Sequence, residues 1–173
     1  MKMKLIIIIT LFCNIIFAQK DFSELEIRNN GNVYLKGDSV PFTGNVKGYC
    51  KEREKSGRMG NAYYFMFMNK YTILYVKGKY YKGKMHGKWV YKSKDGQLLG
   101  FQSFKYGIRH GKYVLFHSNK MKKIEANYVN NKKDGLYKAW NKNGELIAEY
   151  EYENGIIKKT IKDPPYGQGY EIW

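Results

Sequence analysis

Two of the three histidines, His86 and His110, lie 24 residues apart, and each stands directly before a glycine. Asp134 stands before a glycine a further 24 residues along the chain. Imidazole and carboxylate groups are common ligands of Zn²⁺, so this spacing is the first pattern to test for chemistry. If each segment forms a hairpin, the three side chains lie about 9–10 Å apart, two strand spacings, which is too far for one ion. We therefore predict no metal site, and a position beside a tight bend that favours a polar residue.

The other reactive side chains form no catalytic pattern either. No serine lies in a G-x-S-x-G segment, and neither cysteine pairs with a histidine in the repeat. The glutamates of residues 145–153 (ELIAEYEYE) share one strand face, as an acid–base pair requires, but the same alternation is typical of a half-solvated strand. Gly83 and Gly87 lack the strand–loop–helix context of a phosphate-binding loop. The sequence predicts a protein that is not an enzyme and uses no cofactor.

The N-terminus resembles an export signal. Two lysines precede the apolar residues 5–17 (LIIIITLFCNIIF), and Ala18 follows. This order is typical of a secretory signal peptide over residues 1–18, with cleavage after Ala18 or Gln19; the alternative is a buried strand or helix. The run is too short to span about 30 Å of hydrocarbon. We expect a periplasmic, outer-surface or secreted protein whose mature chain has no transmembrane segment. It keeps one cysteine, Cys50, as a buried or free thiol; the alternative is a disulfide between chains or with a small thiol.

Composition indicates a folded β protein. The 173 residues carry a formal charge of +16 and include 17 Tyr and 18 Gly. A disordered polycation would lack these aromatics, and two cysteines do not support a disulfide framework. Aromatic residues favour strands and glycine favours the turns between them, so a turn-rich all-β fold is predicted.

A period of 24 residues organises the chain. Aromatic residues recur at Tyr80, Phe104, Tyr128 and Tyr152, and turn residues recur at Gly83, Gly107, Asn131 and Gly155. A second glycine recurs at Gly87, Gly111 and Gly135, followed two residues later by Trp89, Tyr113 and Tyr137. Gly96 and Gly144 form a further column, in which Lys120 is the exception.

Each unit is predicted to be a β-hairpin, and the whole an elongated antiparallel sheet of tandem hairpins. Residues 19–39 form a lead-in strand or linker, residues 40–158 the array, and residues 159–173 a tail that caps the array or folds back on it. The array is irregular over 40–79 and regular over 80–155. In the irregular part, residues 48–60 are predicted as a loop, and residues 62–68 and 71–76 as a hairpin around Asn69 and Lys70.

The unit Y-x-x-G-x-x-x-G-x-W/Y, followed by N/D-G-x-L, resembles the MORN repeat variant of bacterial proteins often catalogued as YwqK-type antitoxins. The resemblance covers residues 40–158 and is strongest over 80–155. Asn131 and Lys120 depart from its glycine positions. The resemblance implies an extended sheet of successive hairpins that acts as a scaffold, and it implies no particular activity.

The leading hypothesis is an interaction scaffold that binds a protein partner or an anionic lipid or glycan surface. In this reading a platform of aromatic residues is flanked by lysines: Tyr80, Trp89, Phe104, Tyr113, Tyr128, Tyr137, Trp140 and Tyr152, with Lys84, Lys88, Lys112, Lys132 and Lys133. The alternative is that the aromatics pack between hairpins and the lysines only solvate the sheet. Nucleic acid is disfavoured because 27 of the basic residues are Lys and 4 are Arg. The second functional reading is an antitoxin or immunity-like protein.

Overall fold

The all-β prediction is confirmed in the computed structural model, which describes residues 19–51 and 73–165. Over these residues the chain forms thirteen strands and one short 3₁₀ turn at Phe22–Glu24. The strands are β1 (Lys20–Asp21), β2 (Leu25–Ile27), β3 (Val33–Leu35), β4 (Gly44–Lys51), β5 (Ile73–Tyr81), β6 (Lys84–Lys92), β7 (Leu98–Lys105), β8 (Ile108–Phe116), β9 (Lys122–Val129), β10 (Lys132–Lys133), β11 (Gly135–Trp140), β12 (Leu146–Glu153) and β13 (Ile156–Lys162).

Eleven strands form one elongated, mostly antiparallel sheet in the order β1-β4-β5-β6-β7-β8-β9-β11-β12-β13, with β10 paired to β9. From β4 onward successive strands pair antiparallel, as the hairpin repeat predicts, except that the short β10 pairs with β9 alone and β11 follows β9 in the sheet. Strand β1 is the exception, because it pairs with β4 in parallel. Strands β2 and β3 form a separate hairpin.

Two-residue turns join every second pair of strands. Both central residues have positive φ, the geometry of a type I′ turn, whose twist matches that of the flanking strands. These turns are Lys82-Gly83, Tyr106-Gly107, Asn130-Asn131 and Asn154-Gly155. Asn131, at φ +68°, occupies the position of a repeat glycine, as expected of the residue that most readily replaces glycine there.

The intervening loops repeat a second geometry. In the first, the Ser93 amide donates to the Gln97 carbonyl at 2.8 Å and the Gly96 amide to the Ser93 carbonyl at 3.0 Å. Equivalent bonds close the next two loops, around Lys120 and Gly144. Lys120 adopts φ +70° in place of glycine, so the fold keeps this loop despite the strain of a side chain there.

Successive units are joined by one repeated hydrogen bond. The amide of the second turn residue donates to a carbonyl in the preceding unit, over 2.8–2.9 Å in all four cases. The pairs are Gly83 to Phe42, Gly107 to Met85, Asn131 to Arg109, and Gly155 to Lys133. The contact involving Phe42 shows that the array begins near residue 42, before its strictly periodic part.

A second repeated contact places an aromatic residue directly opposite a glycine on the neighbouring strand. The four cross-strand pairs are Gly44–Tyr80, Gly87–Phe104, Gly111–Tyr128 and Gly135–Tyr152. The two strongest sequence columns therefore form one structural unit.

The structure of the first unit differs from the hairpin predicted for residues 62–68 and 71–76. Strand β5 pairs along its whole length with β4, from Gly44–Tyr80 to Lys51–Ile73, and its other edge pairs with β6. Both edges at Tyr75 and Val76 are thus occupied, so these two residues do not pair with residues 62–68 as predicted. Residues 62–68 lie outside the described residues. Residues 48–51, predicted as loop, belong to β4.

The boundaries of the array also shift. Residues 19–39, predicted as a lead-in strand or linker, hold β1, the 3₁₀ turn and the β2–β3 hairpin. Strand β13 continues to Lys162, so residues 159–162 belong to the sheet and not to the predicted tail. The chain leaves the sheet at Asp163, where two prolines follow and no ladder is possible. The predicted signal peptide and residues 166–173 lie outside the described residues.

Candidate functional site

The predicted aromatic platform is the core of the protein. Trp89 is 0% exposed, and the other members at the repeat columns are buried with it: Tyr80, Phe104, Tyr128, Tyr137 and Tyr152. Their rings make edge contacts, such as Tyr80 against Trp89 at 4.9 Å between centroids. Binding through these six residues is therefore a wrong prediction. Alternate positions on each strand put them on the buried face of the sheet, where they belong to one core cluster.

The remaining two aromatics are half-buried. Tyr113 packs edge-on against Tyr128 at 5.9 Å, and burial raises its pKa far above the usual range. Trp140 lies on the opposite face of the sheet, where the Lys122 ammonium sits 5.0 Å from its ring centroid. Neither residue belongs to a continuous exposed platform.

The predicted lysines occupy three different settings. Lys84 stands beside the two-residue turns, and its ammonium donates to the Gly31 carbonyl at 3.3 Å. Lys112 is ion-paired with Glu125 at 3.1 Å. Lys133 lies over the ring of Tyr137 at 4.3 Å, and burial lowers its pKa. Two remain: Lys132, which is exposed beside the Gly155 turn, and Lys88.

Lys88 belongs to a patch that the sequence reading did not single out. The outer face of β4, β5 and β6 carries a group of five lysines, hereafter the basic face: Lys47, Lys77, Lys79, Lys88 and Lys92. Strands β4 to β8 contain no Asp or Glu at all. The signal was present in the sequence, because Asp95 is the one acidic residue between residues 73 and 116.

Two lysines of the basic face are direct cross-strand neighbours. Lys47 pairs in register with Lys77, and both side chains are exposed. Like charges directly opposite each other destabilise a sheet. The nearest acidic residue in register is Asp21, across the parallel β1–β4 pair. Its carboxylate accepts from the Ser23 amide, which is the main cause of its lowered pKa, with Lys47 a smaller one.

Aromatic side chains border the basic face. Tyr49 is 60% exposed and meets Tyr75 edge-on at 5.4 Å across β4 and β5. Tyr75 in turn lies opposite Lys92. On the next strand the Lys88 ammonium sits 3.8 Å from the centroid of the Phe101 ring, a cation–π contact. The face therefore combines an excess of cations with accessible ring surface.

The second half of the sheet has a different charge pattern. Glu125 accepts from Lys122 at 2.6 Å and pairs with Lys112 at 3.1 Å, and these bonds hold its pKa below the ordinary value. Lys138 pairs with Glu149 at 2.9 Å. Positive charge is thus neutralised locally on β9 to β12, whereas on β4 to β6 it accumulates.

The histidines build no common site. The Nδ1 atoms of His86 and His110 are buried without a hydrogen-bond partner among the described residues. The His86 ring lies between Tyr81 and Tyr106, at 5.7 and 5.0 Å. His117, in the loop after β8, bonds the Trp140 carbonyl through Nε2 at 2.7 Å. Within residues 19–51 and 73–165, no three His, Cys, Asp or Glu side chains are grouped so that they could hold a metal ion.

Comparison with known proteins adds no family assignment: no protein-family model matches the chain, and no curated protein matches it either. Over the part of the chain that the structure describes, no helix has the length and apolar character needed to cross a membrane.

Proposed function

We propose that this protein is an exported, non-catalytic repeat scaffold of the MORN type that binds an anionic envelope surface through its basic face. The observation that carries the proposal is the Lys47–Lys77 pair, two opposed lysines on a stretch of five strands without acidic residues. Asp21 lies opposite Lys47 on β1, but Lys77 has no acidic residue in register on either side, because its partners are Lys47 on β4 and Val90 on β6. An anionic ligand would remove this repulsion.

The spacing of the cations suits a surface better than a single small ligand. Alternate residues on a strand lie about 6.6–6.8 Å apart and neighbouring strands about 4.8 Å apart, so the basic face presents a grid of charges. Each lysine close to an anionic bilayer contributes roughly 1 kcal/mol. Five lysines therefore contribute roughly 5 kcal/mol, which supports reversible association at low ionic strength. Tyr49 and Tyr75 add rings that can lie at the lipid headgroup level.

Vesicle co-sedimentation tests the proposal. The purified protein is mixed with phosphatidylglycerol-containing vesicles or with phosphatidylcholine vesicles at rising salt. We expect binding to the anionic vesicles alone, weakening steeply as the Debye length falls from about 30 Å at 0.01 M to about 8 Å at 0.15 M. The triple variant Lys47→Gln, Lys77→Gln, Lys88→Gln should bind at least tenfold more weakly.

A matched variant separates a site from net charge. Lys94, Lys120 and Lys142 are exposed and lie in the loops at the hairpin ends. Changing all three to Gln removes the same charge and should alter binding by less than twofold. Equal loss in both triple variants, or no binding of wild type at low salt, contradicts the proposal.

A pull-down from the envelope fraction addresses the antitoxin-like alternative. Recovery of one protein in fixed stoichiometry, independent of the basic face, would favour that reading. Export itself is checked by N-terminal sequencing, which should begin after Ala18 or Gln19; exported protein that starts at Met1 would contradict it.

A further inference from the structure

The last strand of the sheet, β13, has one unpaired edge among the described residues. It pairs with β12 on one side and ends the strand order of the sheet. All seven of its residues are exposed. Three are isoleucines, Ile156, Ile157 and Ile161, which are 67%, 46% and 47% exposed. Exposed apolar residues on an open edge form a template for pairing with another strand.

Strand β13 is the first strand of a further unit. The turn before it makes the same docking bond as the other turns, from the Gly155 amide to the Lys133 carbonyl at 2.8 Å. At the equivalent place in the preceding units, β6 is covered by β7 and β8 by β9. Residues 19–35 cover the opposite end of the array, where Phe22 packs 6.3 Å from Trp89. Repeat arrays require such caps at their ends, and the described residues supply only one.

The positive charge of β13 indicates what kind of strand can pair with its open edge. Lysines stand at positions 158, 159 and 162, and the strand carries no acid. Its existing neighbour β12 is an acidic strand: Glu151 lies opposite Lys159, and Glu153 pairs with Lys158 at 2.8 Å. A second copy of β13 on the open edge would place lysines of both strands against each other, which is unfavourable.

We propose that the open edge of β13 binds an extended segment of a partner protein in which apolar and acidic residues alternate. The backbone of that segment would continue the ladder, its apolar side chains would cover Ile157 and Ile161, and its carboxylates would meet the lysines. This site is separate from the basic face, so the proposal does not depend on membrane binding.

A peptide with the sequence of β12, LIAEYEYE, is a suitable probe, because that sequence already pairs with β13 in this fold. Fluorescence anisotropy of the labelled peptide with the full-length protein should show binding at least tenfold tighter than that of LIAKYKYK. Hydrogen exchange should slow on peptide addition within residues 156–162. The Lys47, Lys77, Lys88 triple variant should bind the peptide like wild type, which distinguishes this site from the basic face.

The variant Lys159→Glu, Lys162→Glu should reverse the preference and bind LIAKYKYK the more tightly. If that variant does not fold, hydrogen exchange of the wild-type protein with and without peptide tests whether the peptide binds at β13. Protection outside β13, or equal binding of both peptides, overturns the proposal. Protection of β13 in the absence of peptide also overturns the proposal, because the edge would then already be covered by residues 166–173 in a monomer or by a second copy in a dimer. Sedimentation analysis distinguishes the monomer from the dimer.

Discussion

Gly78 of β5 lies directly beneath the indole of Trp89, and replacing it with alanine tests how tightly the core is packed. A methyl carbon at this position would lie 2.2 Å from the ring carbon Cδ2, whereas unbonded carbons rest about 3.5–4.0 Å apart. The indole has little freedom to move away, because its Nε1 donates to the Lys79 carbonyl at 3.2 Å and Tyr80 packs against it.

We expect Gly78→Ala to lower the free energy of unfolding by about 3 kcal/mol, the upper part of the usual range for overpacking a core. For a chain of this size that corresponds to a fall in Tm of about 6–12 °C. Urea denaturation followed by far-ultraviolet circular dichroism measures the loss. Gly135→Ala is the matched control: its φ is +82°, but no atom lies within 4 Å of the added carbon. That variant should lose only about 1 kcal/mol, from backbone strain.

A double-mutant cycle identifies the cause. Trp89→Ala alone should cost about 3–5 kcal/mol, and adding Gly78→Ala to it should cost little more, because the clash no longer exists. The reasoning is refuted if Gly78→Ala is no less stable than Gly135→Ala, or if the effects of Gly78→Ala and Trp89→Ala simply add.

Two further outcomes follow from the same contacts. Gly111→Val should destabilise the protein by at least about 2 kcal/mol, because φ at Gly111 is +92° and the added carbon would meet Ser103 at 3.2 Å. Lys112→Ala removes only an exposed ion pair worth less than about 1 kcal/mol. Equal melting temperatures of the two variants would contradict this prediction. Burial raises the pKa of Tyr113 and of Tyr137, so their contribution to stability is complete below about pH 10 and is lost as the pH rises further, since the unfolded tyrosines ionise first. The urea midpoint should therefore be lower above about pH 10 than below it, and Tyr137→Phe should make this difference smaller. A variant with the same pH dependence as wild type would contradict the prediction.

The regular part of the fold follows from the sequence because its periodicity fixes both turns of each unit. Gly83 and its equivalents predict the turns, and Trp89 and its equivalents predict which residues share a face. Periodicity does not show whether that face is covered. Burial in the structure decides it: the Trp89 side chain is 0% exposed and packs against Tyr80 and Phe22, so the predicted binding surface is part of the core.

The irregular part could not be predicted in the same way. Strand β4 (GNVKGYCK) contains two glycines and little apolar pattern, so its pairing with β5 has only a weak local signal. Its partner lies beyond a connection of more than twenty residues, whereas the predicted hairpin around Asn69 and Lys70 was local. The basic face depends on that distant pairing, because Lys47 and Lys77 meet only when β4 and β5 are in register.

The long connection between β4 and β5 shows that two paired strands of this array can be joined by many more residues than a tight loop contains. Gly44 and its partner Tyr80 are 36 positions apart, whereas Gly87 and Phe104 are 17 apart, yet the cross-strand contact is the same. Bringing together Lys51 and Ile73, the ends of a connection of about 21 residues, costs only about 1.3 kcal/mol more chain entropy than closing a five-residue loop, since that cost grows with the logarithm of length. The hairpin ends at Asp95, Asn119 and Asn143 should therefore accept grafted peptides, which would make this sheet a display framework with evenly spaced attachment points.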